Sequence, residues 1–77
     1  NHEEAIVKSE LARQINRLIK NKNLRQINAA SILGIDQPKV SALVRGKLRS
    51  FSLERLIRFL NLLGQDVKII VSRAKPE

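Results

Sequence analysis

The chain has 77 residues, enough for one small domain with a modest core. It has no Cys, which excludes disulfides and thiolate metal sites, and no apolar run near the ~20 residues that a membrane helix needs. Fifteen Lys and Arg stand against seven Asp and Glu, for a formal net charge of +8 and a pI of about 11.0, so a polyanionic partner is expected, either nucleic acid or an anionic membrane surface.

The first helix is predicted from about Glu3 to Asn21, with Leu11, Ile15, Leu18 and Ile19 at helical spacing. Glu3, Glu4 and Glu10 lie toward its start, and Arg17, Lys20 and Lys22 toward its end, an order that suits the helix dipole. Asn21 and Asn23 break the pattern. A short helix follows, about Arg25 to Leu33, closed by Gly34. Asp36 has the chemistry of an N-cap, with Gln37 and Pro38 in the first turn of a third helix running to about Arg45 and stopped by Gly46.

Ser50 or Ser52 caps a fourth helix, about Leu53 to Leu63. Leu53, Leu56, Ile57, Leu60 and Leu63 form its apolar stripe, Glu54 and Arg58 stand four apart and can pair, and Gly64 closes it. The tail then changes period. Val67, Lys68, Ile69, Ile70 and Val71 head a β-branched run that reads as a strand over residues 67–73, ended by Pro76. A lone strand leaves its backbone groups unpaired, so the expectation is pairing with the same strand of a second copy in a two-fold homodimer.

Residues 26–45 satisfy the constraints of a helix-turn-helix. Counted from Gln26, the fifth position is Ala30, where a crossing helix leaves no room for a large side chain. The ninth is Gly34, where the chain turns sharply. Positions four, eight, ten, fifteen and eighteen are Ala29, Leu33, Ile35, Val40 and Leu43, all apolar. From Arg13 to Arg58 eleven basic residues accompany only two acids, Asp36 and Glu54. Phe51 and Phe59 are the only aromatics, which disfavours a stacking platform for single strands and favours duplex DNA.

The segment LRQINAASILGIDQPKVSALVRGK, Leu24 to Lys47, resembles the Cro/cI-type (XRE) helix-turn-helix domain, and the likeness continues through FSLERLIRFLNLLG. With the basic segment QDVKIIV, the chain is similar to the HigA-like antitoxin and regulator branch. The resemblance covers roughly residues 11–72. It implies a mostly α, four-helix lambda-repressor-like domain, here with a C-terminal strand in place of the fifth helix many relatives carry. It also implies a sequence-specific regulator of the bacterial cytoplasm and nucleoid, a repressor that binds an inverted repeat as a dimer. An antitoxin role would add a small protein toxin, for which residues 1–10 are one candidate surface.

Residue roles follow from how such a helix enters the major groove, with its N-terminal residues at the base edges. Gln37 can pair with adenine N6 and N7 in bidentate fashion, or can help cap its helix. Lys39 can reach guanine O6/N7 or a phosphate, or stay solvated. The Pro38 ring can touch a thymine methyl. Ser41 can meet a base edge or its own backbone, and Ala42 can face the groove or the core.

Arg25, Gln26, Arg45, Lys47, Arg49 and Ser50 flank the motif and are the candidate phosphate ligands, setting affinity and register rather than sequence. The resemblance implies that Gln26 both contacts phosphate and supports Gln37.

No enzyme is expected. His2 is the single His, and the sequence carries no phosphate loop, metal-ligand spacing or nucleophile motif, so neither cofactor nor metal is anticipated. The competing readings are a helical protein-interaction module that does not bind DNA, and membrane-surface association. The second would need apolar stripes that the core already uses.

Overall fold

A computed structural model describes residues 2–68. They form four helices: α1 (His2–Asn21), α2 (Gln26–Leu33), α3 (Gln37–Val44) and α4 (Leu53–Leu62). α1 packs against α4 and α3, while α2 packs on α3 and touches α4.

All four helices stop by the same device, a residue at positive φ that lets the next amide reach back to a carbonyl five residues earlier. The residues are Asn23 (φ 54°), Gly34 (71°), Gly46 (74°) and Gly64 (89°). The returning bonds are Leu24 N–H to Ile19 O at 3.0 Å, Ile35 N–H to Ala30 O at 3.1 Å, Lys47 N–H to Ala42 O at 2.9 Å and Gln65 N–H to Leu60 O at 2.9 Å. Each bond satisfies a carbonyl that the helix end would otherwise leave unpaired. Asn tolerates the left-handed region better than other side chains, which is why α1 can end without Gly.

Two of the starts are equally explicit. The Asp36 carboxylate accepts the Lys39 amide at 2.9 Å, and the Ser52 hydroxyl accepts the Arg55 amide at 3.1 Å. Ser52 is therefore the cap of α4, and Ser50 lies exposed in the preceding turn. Glu54 and Arg58 do not approach within ion-pair distance: among the described residues the ion pairs are Lys8–Glu4 at 3.6 Å and Arg13–Glu10 at 2.8 Å.

The core is built from Ala12, Ile15 and Ile19 of α1, Ala29, Ala30 and Leu33 of α2, Val40 and Leu43 of α3, and Leu56, Phe59 and Leu60 of α4. Phe51 and Leu63 complete it from the chain flanking α4. Of the stripe expected in α4, Leu56 and Leu60 are buried, whereas Leu53 and Ile57 are half-buried. Phe51 and Phe59 meet edge to face, ring centroids 5.9 Å apart, with the Arg55 guanidinium 5.6 Å from each centroid. Such pairs add roughly 0.5–1.5 kcal/mol beyond burial.

The strand expected over residues 67–73 finds no support among the described residues: Val67 and Lys68 belong to no strand, and the described residues contain none. Val67 instead lays its side chain against the helical core. The described residues offer no second strand with which such a segment could pair. Ile69, Ile70 and Val71 lie outside the described residues.

Candidate nucleic-acid interface

α2 and α3 are joined by the three residues Gly34, Ile35 and Asp36. Gly34 at φ 71° reverses the chain, Ile35 packs half-buried against the core, and Asp36 starts α3. Ala29 and Ala30, 0 % and 7 % exposed, are buried on α2, which packs on α3. Val40 and Leu43 are fully buried and hold α3 by one face.

With that face fixed, the first turn of α3 must point outward. Gln37, Pro38 and Lys39 are all exposed. Ser41 is half-buried, and its carbonyl accepts the Arg45 Nε–H at 3.3 Å. Ala42 is half-buried and packs against the core, so its side chain serves the interior at least as much as any groove. The outward set is thus Gln37, Pro38, Lys39 and Val44 of α3 with its C-cap Arg45, and Ser41 lies at its margin.

The candidate phosphate ligands flank this helix on both sides. Before it, the N-cap of α2 is Arg25, an extended residue (φ −73°, ψ 159°) whose side chain caps nothing. The leading amides of α2 therefore lack the carboxylate or hydroxyl that α3 and α4 have, and they favour an anion by charge and by geometry. Arg25 is exposed and Gln26 half-buried beside them. After α3, Arg45, Lys47, Arg49 and Ser50 are all exposed along the turn to α4. None of Arg25, Lys39, Arg45, Lys47 and Arg49 is in an ion pair among the described residues.

Two groups of cations lie outside the phosphate-ligand set expected from the sequence. Lys8 lies in a groove with Gly46, Leu48 and Arg49, its amine 3.6 Å from Glu4 and its side chain 17 % exposed. Arg13, Arg17 and Lys20 share the outer side of α1. Their spacing of four and three residues could have revealed them.

No group of three or more His, Cys, Asp or Glu converges on a possible metal position among the described residues. No described helix is long and apolar enough to cross a membrane.

An αL turn between two short helices, a second helix fixed by one face, and unpaired cations on either side define a helix-turn-helix module. Residues 1–72 match a family described as "Helix-turn-helix domain". The chain also superposes on a solved structure named "Putative XRE Family Transcriptional Regulator" with a TM-score of 0.90 and 51% identity, covering 97% of this chain and 83% of that one. The chain belongs to this helix-turn-helix family. No curated protein matches it.

Proposed function

We propose that this chain is a sequence-specific duplex-DNA-binding transcriptional regulator of the cytoplasm, acting as a repressor. The observation that carries the reading is the exposed first turn of α3, Gln37 to Lys39, held outward by the buried Val40 and Leu43 and flanked by unpaired cations. Gln37 and Lys39 read bases, Pro38 offers its ring to a thymine methyl, and Ser41 and Ala42 lie at the edge of the contact. Arg25 and Gln26 take one run of phosphates through the uncapped start of α2. Arg45, Lys47, Arg49 and Ser50 take another. The similarity to an XRE-named structure supports the same reading.

A homodimer would set two copies of α3 about 34 Å apart on an inverted repeat. Selection of bound duplexes from a random pool tests the whole reading. Recovery of a palindromic site supports a dimeric, sequence-specific regulator, whereas no enrichment favours the protein-interaction module. The antitoxin role rests on the HigA-like resemblance of the sequence, and co-purification of a small toxin with the native chain tests it.

A further inference from the structure

We propose that α1 carries a further DNA-backbone site, in which Arg13, Arg17 and Lys20 contact phosphates beside the C-terminal end of α3. The inference rests on the DNA-binding reading above and extends it to a helix outside the helix-turn-helix.

The three cations lie four and three residues apart. At about 100° per residue they fall within a narrow arc of the helix surface. The buried side of α1 is set by Ala12, Ile15 and Ile19, so that arc faces away from the core. Arg13, Arg17 and Lys20 are all exposed.

The stripe does not stand alone on the surface. Asn16, at its edge, donates through Nδ2 to the carbonyl oxygen of Leu43 at 3.4 Å, which ties this side of α1 to the last turn of α3. Arg13 and Asn16 share a depression with Val44, Arg45 and Gly46, and they share a second one with Arg17 and Lys20. The basic surface therefore continues from the turn after α3, through Arg45 and Arg13, to Arg17 and Lys20 along α1. Lys20 in turn stands five residues before Arg25, the exposed N-cap of α2.

Neither Arg17 nor Lys20 is in an ion pair among the described residues, although Glu10 lies close enough to feel the charge of Arg17 and Asp66 lines a depression with it. Arg13 is held by Glu10, through Nη2 at 2.8 and 3.1 Å, in an exposed pair that a phosphate can displace at little cost. From Arg13 to Arg49 the one acid is Asp36, and it is engaged as a helix cap. A continuous cationic strip of this kind fits a regularly spaced polyanion such as the duplex backbone.

The test is the salt dependence of binding by the full chain to two duplexes, the selected site and a scrambled one. Each lost phosphate contact removes about 0.9 from the slope of log K against log salt. The double variant Arg17→Gln, Lys20→Gln is expected to lose nearly two units on both duplexes, with the ratio between them unchanged. Both residues are exposed, and an unchanged melting temperature confirms the fold. Glu10→Gln is expected to act the opposite way, binding more tightly on both duplexes because Arg13 is released and a negative charge is removed. A double variant whose slope equals that of the unaltered protein overturns the α1 site while leaving the main reading intact. Absence of salt-dependent binding by the unaltered protein overturns both.

Discussion

The side-chain amide of Asn16 on α1 reaches the carbonyl oxygen of Leu43 on α3 at 3.4 Å, while its own Oδ1 is buried without a partner. The contact joins two helices far apart in sequence, yet it is long for a hydrogen bond and leaves an acceptor desolvated. An unsatisfied buried acceptor costs about 1–3 kcal/mol, and a typical hydrogen bond returns about 1 kcal/mol. Asn16→Leu, close in shape, is therefore expected to be neutral or to raise stability by up to about 1 kcal/mol. Urea denaturation checks it, and a loss above about 2 kcal/mol would show that the polar contact is needed.

Gly34 adopts φ 71°, and a Cβ added there would meet nothing within 4 Å. Space is not the constraint; the left-handed backbone is. Gly34→Ala is expected to destabilise by about 1–2 kcal/mol, the usual strain for an L-residue in that region. Gly34→Asn should lose less, since Asn23 already ends α1 at φ 54°. Equal losses for the two variants would count against this account.

Gln37 is exposed at the start of α3, and its side chain makes no hydrogen bond to the rest of the domain among the described residues. Gln37→Ala should leave the fold unchanged and relax discrimination at one base pair by about 1–3 kcal/mol. Competition among duplexes that differ at single positions measures it. A uniform loss on all sequences would assign Gln37 to the backbone instead.

Lys47 is exposed in the turn after α3. Lys47→Ala is expected to weaken all duplexes alike and to lower the salt slope by about 0.9. A change in sequence preference would contradict the role given to it.

Hydrogen bonds from Gln14 and then from Arg13 hold the Glu10 carboxyl below its ordinary value. A group with a depressed native pKa stabilises above its unfolded pKa and loses that contribution as pH falls through the lowered value. Titration from about pH 7 to about pH 3, the range that spans an ordinary carboxylate, should therefore show α1 helicity declining more in the unaltered chain than in Glu10→Gln. The effect is small because solvent screens an exposed carboxylate. Identical helicity curves would remove the role assigned to this carboxylate.

The sequence was most legible where one residue type meets one geometric demand. Gly34, Asp36, Ala30 and Val40 each answer a separate requirement of a tight interhelical turn, and the structure places each of them as required. Ser50 and Ser52 were indistinguishable because both precede α4 with the same chemistry. Only the backbone at Ser52 brings the hydroxyl under the Arg55 amide.

In the sequence Phe51 stands out only as a scarce aromatic, yet it is buried in the core. It lies between helices, where no periodicity marks an inward side chain, and its partner Phe59 falls outside the stripe assigned to α4. The β-branched alternating run from Val67 suits a strand, but only Val67 and Lys68 of it are among the described residues, and there Val67 packs against the helical core.

α1 has a polarity that bears on how the molecule meets its target. Its early acids Glu3, Glu4 and Glu10, with Lys8 as the one cation among them, lie toward one end, and Arg13, Arg17 and Lys20 follow toward the other. Charge separated along a rigid rod is a permanent electric dipole, and in the field of a polyanion it feels a torque as well as a pull. The protein would be turned before it touches: cationic end inward, acidic end toward solvent. On the DNA-binding reading proposed above, fewer collisions would then be wasted on the wrong side of the molecule.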